Sequence, residues 1–177
     1  RQYLKLNVEP YGGMILNTWM DRPLSLAGRV FTRNIDDPFK PIEHIIKLDR
    51  PICIIPNLAI HMNRAINEGY AYNKQDDMTP IILESYEGEE KDYIRSLLHR
   101  EINMTGREKV SLDDILDYDL YLYEYEKGSL IGDEKEYISC GRLDNLASVH
   151  ASISSLLYSD SLGRSVCNED IDINSFR

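Results

Sequence analysis

Residues 117–126 read DYDLYLYEYE, and the side chains in this stretch alternate in character from one position to the next. Leu120 and Leu122 take alternate positions, and tyrosines take much of the other set. Because successive side chains of a strand point to opposite faces, a period of two predicts a β-strand. Tyrosine rings suit either a packed sheet face or a protein interface, and the sequence leaves both open.

Further extended segments lie on both sides of this strand. The stretch RPLSLAGRVFTR, residues 22–33, is predicted to form a hairpin-like pair around Ala27-Gly28. The stretch GGMILNTW, residues 12–19, is predicted to be extended as well. Shorter strand-like stretches, several of them rich in isoleucine, occur at residues 3–8, 44–49, 51–56, 81–86 and 136–141.

Helical spacing appears at three places. Residues 92–103 place Ile94, Leu97, Leu98 and Ile102 on one face, which predicts an amphipathic helix. A second helix is predicted from Leu58 to about Gly69. A third, long amphipathic helix is marked by Leu146, Val149, Ile153, Leu156 and Leu157. With strands dominating the middle, this order predicts a β-rich α+β module inserted into an α/β domain.

The composition limits the partners of the chain. Its formal net charge is −10, with a pI near 4.8, and this argues against nucleic acid as a partner, because phosphate binding favours a basic surface. The acidic balance and the lack of a long apolar run also give no reason to expect a membrane partner. The three cysteines are widely spaced, without a CxxC pair, so we expect a cytoplasmic, reduced protein.

Asp144 lies in SCGRLDNLAS, residues 139–148, between a predicted strand and a predicted helix. An aspartate at such a junction is usually a helix N-cap. The alternative is a metal ligand, because a carboxylate has two oxygens and can bridge two divalent ions. The nearby candidates for further ligands are His150, Asp160 and Glu136, and the spacing of His150 favours a packing or surface role.

His61 lies in IPNLAIHMNRAIN, residues 55–67, within the second predicted helix. One interpretation is an ordinary histidine, either buried and hydrogen-bonded or exposed. The functional interpretation is a side chain that donates a hydrogen bond to a substrate carbonyl or a developing oxyanion. The residues alone leave both open.

Four blocks in the same order closely resemble the aspartyl aminopeptidase / aminopeptidase I family of dizinc metallopeptidases. They are VEPYGGMILNTWMDRPLSLAGRV (8–30), LDRPICIIPNLAIHMNR (48–64), LDDILDYDLYLYE (112–124) and SCGRLDNLAS. The resemblance covers about residues 4–158, and four ordered blocks make it specific. It implies an enzyme that removes N-terminal residues from peptides, with two zinc ions in each active site.

The resemblance also implies a fold, an assembly and site residues. The fold would be a partial α/β zinc-peptidase catalytic domain with an inserted β-rich dimerisation domain, and dimers would build a dodecamer. Residues 1–13 would be an edge of the catalytic domain, 14–130 the inserted domain and 131–177 the return to the catalytic domain. Asp144 matches the aspartate that bridges the zinc ions, and the peptide bond after it is often cis in relatives. His61 matches a histidine that reaches the active site of a neighbouring subunit and holds the substrate.

Other family blocks are missing from the sequence. A His-x-Asp block would precede LKLNVEPYGG, and a Glu-Glu-Val-Gly-Ser-like block would follow the Asp144 helix, where residues 163–177 read GRSVCNEDIDINSFR. Glu169-Asp170 lacks the Gly-Ser continuation, so that role is not carried over. Both ends of the chain are expected to be breaks rather than natural termini. The alternative function is a non-catalytic oligomerisation or interaction module.

Overall fold

The computed structural model describes residues 2–85, 92–105 and 109–166, with the backbone only at residues 85, 105 and 160–166. The chain divides into two compact units, residues 1–126 and 127–177. Among the described residues, no helix is both long and apolar enough to cross a membrane.

A three-stranded antiparallel sheet forms the centre of the first unit. Its order is β3 (Ile42–Lys47), β2 (Leu24–Thr32) and β5 (Ile115–Glu124). The strand predicted from DYDLYLYEYE is confirmed, and its leucines lie beside the apolar residues of β2: Leu122 pairs with Leu26, and Leu120 with Gly28.

The predicted hairpin at Ala27-Gly28 is wrong, because β2 runs straight through it. A Cβ atom on Gly28 would lie 2.1 Å from the carbonyl oxygen of Asp119. The glycine therefore allows the β5 backbone to approach closely and does not make a turn.

Helix α1 (Tyr93–Thr105) packs its apolar stripe against one face of this sheet. Leu98 and Ile102 are fully buried, and the cluster also contains Leu26, Val30, Ile46, Leu48, Leu97 and Ile115. The predicted helix and its buried face are confirmed. Burial of this stripe supplies most of the stability of a short helix, because an isolated helix of this length is marginal in water.

A second core cluster lies at the other end of β2. It consists of Met20, Leu24, Cys53, Ile55 and Met78. Burial raises the pKa of the Cys53 thiol to about 11. Next to this cluster, the first strand, β1 (Gln2–Lys5), pairs antiparallel with β4 (Ile81–Ser85).

Two predicted extended stretches differ in the structure. Residues 51–56 form isolated bridges instead of a strand, among them Leu24 with Cys53 and Ile54 with Ile81. In residues 12–19, a 3-10 helix forms at Leu16–Trp19. Thr18 stabilises that turn, because its hydroxyl donates to the carbonyl of Ile15 at 2.8 Å.

Two Asp-Arg-Pro segments, at residues 21–23 and 49–51, attach loops to the sheet and the helix. Arg22 pairs with Glu124 of β5, and Arg50 pairs with Glu101 of α1. The hydrogen bond from Arg50 to Glu101 raises the pKa of the arginine, which stays charged. Glu101 is buried, and a buried carboxylate needs such a partner because desolvation of its charge is costly.

The second unit contains a hairpin and a helix. Strands β6 (Ser129–Ile131) and β7 (Tyr137–Ser139) pair antiparallel, and α2 (Leu143–Val166) follows. The long helix predicted from the spacing of Leu146 to Leu157 is confirmed. Its apolar side chains, including Leu146, Val149 and Ile153, are exposed in this chain.

We expect Leu98→Ala to lower the free energy of unfolding by about 2–5 kcal/mol, because it leaves a cavity between α1 and the sheet. Met104→Ala is the matched control, since Met104 lies on the same helix with 73% of its surface exposed. The control should change stability by less than about 0.5 kcal/mol. Urea denaturation measures both values, and equal effects would contradict the packing of α1 on the sheet.

Candidate functional site

Asp144 lies at the start of α2, at a break in the helical backbone. Asp144 and Asn145 have non-helical dihedral angles, and the peptide bond between them is cis, as the resemblance implies. Arg142 just before them has φ 63°, and its carbonyl accepts a hydrogen bond from the Leu146 amide at 3.1 Å. The segment thus turns sharply before the regular helix begins.

The Asp144 side chain does not act as a helix cap. It is exposed, and its carboxylate accepts no hydrogen bond from any residue in the described part of the chain. An N-cap would accept one from a backbone amide two or three residues later. Among the described residues, nothing occupies either oxygen of the Asp144 carboxylate.

The other acidic and histidine candidates do not assemble around Asp144. Glu136 instead accepts a hydrogen bond from the Glu134 amide at 3.0 Å, and His150 is exposed on α2. The Asp160 side chain and Glu169-Asp170 lie outside the described residues. Across the residues described, no three histidine, cysteine, aspartate or glutamate side chains come together to hold a metal ion.

These donors by themselves therefore do not fit a zinc site. Structural and catalytic zinc sites take at least three protein ligands. The Asp144 carboxylate is a suitable donor for one of these ligand positions, and the remaining positions would need side chains from outside the described residues.

His61 lies on an exposed turn, and the helix predicted from Leu58 to Gly69 is wrong. Only a short 3-10 segment, Arg64–Glu68, forms in that range, and it ends at Gly69 with φ 108°. The apolar period was misleading because Leu58 and Met62 are exposed, and a short helix without a surface to pack on is not stabilised.

The turn at His61 is held by backbone hydrogen bonds. The carbonyl of Ala59 accepts from the amides of Met62, at 2.8 Å, and Asn63, at 3.2 Å. The His61 ring is exposed and makes no hydrogen bond to any described residue. A hydrogen-bonded turn thus presents an exposed imidazole, neither nitrogen of which is bonded to a described residue.

The turn lies in a longer loop, residues 57–72, whose two ends are joined by residues that the sequence analysis did not connect to His61. The Asp21 carboxylate accepts hydrogen bonds from the Asn57 amide, at 2.8 Å, and from the Asn57 side chain, at 2.9 Å. The Tyr72 hydroxyl lies 3.3 Å from Asn57 Oδ1 and 2.9 Å from Asn17 Oδ1. Asp21 and Asn57 are 36 positions apart, so no local pattern could have paired them.

The sheet face opposite α1 is open and carries tyrosine and charge. Arg29 and Asp119 form an ion pair at 3.0 Å across β2 and β5, and this contact raises the pKa of Arg29. Next to it, Tyr121 meets Tyr11 edge to face, and Ile45 is 74% exposed. The nearby Asp119 charge also raises the pKa of Tyr121. Of the two possibilities for the tyrosine strand, this face fits a surface available for contact.

Comparison with known proteins gives one consistent result. A family model described as the aminopeptidase I zinc metalloprotease (M18) family matches residues 1–173. A probable M18 family aminopeptidase 2 of Clostridium novyi is 48% identical over 161 residues, which cover 90% of this chain and 36% of that protein. Its namesake in Pseudomonas putida is 41% identical over 175 residues, which cover 98% of this chain and 39% of that protein.

Solved structures agree with the sequence matches. The cryo-EM structure of the Ape4 and Nbr1 complex contains a chain with a TM-score of 0.75 and 33% identity, over 94% of this chain and 32% of that one. The present chain therefore spans little more than a third of the length of the curated relatives it matches.

Proposed function

The chain belongs to the aminopeptidase I zinc metalloprotease (M18) family, and from that membership we propose that it forms part of a zinc metallo-aminopeptidase. The enzyme would remove N-terminal residues from peptides in the cytoplasm. The match of the family model over residues 1–173 carries this proposal.

The proposed domain arrangement is a catalytic domain interrupted by a β-rich dimerisation domain. Residues 1–13 and 131–177 belong to the catalytic domain and 14–130 to the insertion. A separate core in the first unit and the division of the chain after Glu126 support an insertion that ends near 130. In this arrangement, the pairing of β1 with β4 joins the catalytic edge to the insertion.

Asp144 is proposed to be the carboxylate that bridges two zinc ions. Its exposure, its position at the break at the start of α2, and its lack of hydrogen bonds to described residues support this role. Zinc, when bound, would polarise the scissile carbonyl and activate a water molecule. The task of Asp144 is to present both oxygens on an ordered backbone.

His61 is proposed to act in a neighbouring subunit. There its ring would donate a hydrogen bond to the carbonyl oxygen of the substrate, which becomes negatively charged during attack. Such donors act best when they are already oriented, and the hydrogen-bonded turn at residues 59–63 supports this role. The exposed apolar side chains of Leu58, Ile60 and Met62 suit burial against another subunit.

Self-association into dimers, and from these into a dodecamer, is part of the proposal. The open sheet face with Tyr121 and Ile45 supports it, because tyrosine is enriched at interfaces. The second candidate function is a non-catalytic oligomerisation module. It is favoured by the lack of a three-ligand metal cluster among the residues described.

We expect Asp144→Ala in the whole protein to lower zinc content and activity together. The loss of activity should be at least as large as the ~10–100-fold loss seen when groups that only support zinc ligands are removed. Asp133→Ala, which removes another exposed aspartate of the same unit, is the control. Metal analysis by mass spectrometry and peptide hydrolysis measure the two effects. Unchanged zinc content would contradict the bridging role, and no zinc or hydrolysis in the unaltered protein would favour the non-catalytic module.

We expect His61→Ala to lower kcat by roughly 10²–10³, the effect of removing one oxyanion donor, while zinc content stays the same. His44→Ala serves as the control, because it removes a histidine of the same unit that is bonded to Thr32 at 2.8 Å. That control should lower stability slightly and leave kcat intact. Unaltered turnover in His61→Ala would overturn the proposed role.

Co-expression tests whether His61 acts between subunits. One chain carries His61→Ala with one affinity tag, and the other carries Asp144→Ala with a second tag. Mixed assemblies isolated through both tags should regain activity, because an intact His61 meets an intact Asp144 across the interface. Inactive mixed assemblies would show that both residues must come from the same chain.

A further inference from the structure

The loop that carries His61 is closed at its base by a cluster of polar side chains, which we call the base clamp: Asn17, Asp21, Asn57 and Tyr72. We infer that the base clamp is a positioning device that sets the orientation of His61 for catalysis. This inference rests on the role of His61 proposed above. None of these residues is placed in contact with substrate or metal.

Asp21 supplies the charged half of the clamp. One of its carboxylate oxygens accepts from the backbone amide of Asn57 and the other accepts from the Asn57 side-chain amide. These two hydrogen bonds fix both the backbone and the side chain of Asn57. Hydrogen bonds to an ionised acceptor are about twice as strong as neutral ones. The Asp21 backbone has φ 58°, a left-handed conformation that aspartate tolerates, and its amide donates to Ile55 at 2.8 Å.

Tyr72 supplies the other half. Because the Asn57 amide nitrogen donates to Asp21, its oxygen faces the other way, toward the Tyr72 hydroxyl. That hydroxyl is nearer to Asn17, at 2.9 Å, than to Asn57, at 3.3 Å. One end of the loop, at residue 57, is thereby linked to the other end, at residue 72, in the manner of an Ω-loop.

The clamp is fixed to the core, whereas the tip of the loop is not. Tyr72 packs against the second core cluster, and Asp21 follows buried Met20 of that cluster directly. The tip residues Leu58, Ile60 and Met62 are exposed. A rigid base with an exposed tip means that the orientation of the base determines where the imidazole points.

The path from the clamp to His61 is short, so the orientation of Asn57 affects the position of the His61 ring. His61 follows Asn57 by four positions, and the Ala59 turn makes those positions one ordered unit. A small rotation of Asn57 would therefore also move the imidazole ring. Misplacement of a catalytic group by about 1 Å can cost about 10²-fold in rate.

Exchanging the side chains of Asp21 and Asn57 tests whether kcat depends on the hydrogen-bond arrangement of the clamp or on the identity of the residue at each position. Asp21→Asn alone leaves one acceptor oxygen for the two Asn57 donors. The Asn57 side chain then either loses its hydrogen bond to position 21 or turns its amide over, and both outcomes change the geometry of the clamp. Combined with Asn57→Asp, the same change restores every donor and acceptor. The amide at position 21 then donates to the carboxylate at position 57, whose second oxygen still faces the Tyr72 hydroxyl.

The experiment uses the whole, assembled protein and measures kcat, KM, zinc content and melting temperature. Asp21→Asn should lower kcat about 10-fold or more without loss of zinc, and the double exchange should regain most of it. In a His61→Ala background, Asp21→Asn should lower kcat no further, since the clamp acts through that ring. Asp114→Asn, which alters a carboxylate that caps a different turn, is the control and should leave kcat unchanged.

Three results would overturn the inference. The first is an equal loss of kcat from Asp21→Asn with and without His61, which would mean a general structural role. The second is failure of the double exchange to regain activity at a normal melting temperature. The third is an unchanged kcat in Asp21→Asn while His61→Ala is impaired, which leaves the proposed function standing. If His61→Ala itself has no effect, the proposed role of His61 fails as well.

Tyr72→Phe keeps the test decisive if Asp21→Asn does not fold. It retains the ring packed against the second core cluster and removes only the hydroxyl. We expect a smaller loss of kcat, which is again absent in the His61→Ala background. A loss that persists in that background would overturn the inference.

Discussion

The pairing of β2 with β5 is the constraint on which the rest of the first unit depends. It extends from Leu24 opposite Glu124 to Thr32 opposite Ile115, and it requires glycine at position 28, where the β5 backbone lies too close for a side chain. This register places Leu26 and Val30 under α1. It also brings the start of β2 to the second core cluster, so that the preceding Asp21 lies beside the loop of His61.

The two candidate residues share one physical character. Asp144 and His61 are exposed polar groups on ordered backbone, and neither uses its hydrogen-bonding capacity within the described part of the chain. Two buried hydroxyls, by contrast, are bonded within the chain: Ser25 donates to the carbonyl of Leu48, and Thr32 is bonded to His44. Oriented side chains without partners are what a site needs if its other members come from elsewhere.

Local pattern predicted the strand β5 and the helices α1 and α2, and it failed at the short apolar stretch that begins at Leu58. The period of two in β5 and the apolar stripe of α1 reflect which side chains face the core, and both predictions are confirmed. The stretch from Leu58 to Gly69 has a similar stripe, but no described surface covers it, and a turn forms instead. Gly28 shows the same limit. A glycine between apolar residues fits either a turn or a close approach, and only the position of β5 distinguishes them.

The sequence by itself determined the family, the main strands and helices, and Asp144 and His61 as the residues to inspect. These follow from short-range periodicity and from ordered blocks of residues, which do not require knowledge of distant contacts. Only the tertiary structure decided that Arg50 meets Glu101, that Asp144 does not cap its helix, and that Asp21 holds Asn57. Each of these depends on where the backbone returns in space. The hydrogen bonds that fix the base of the His61 loop join residues 36 and 15 positions apart, a separation over which local sequence carries no information about contact.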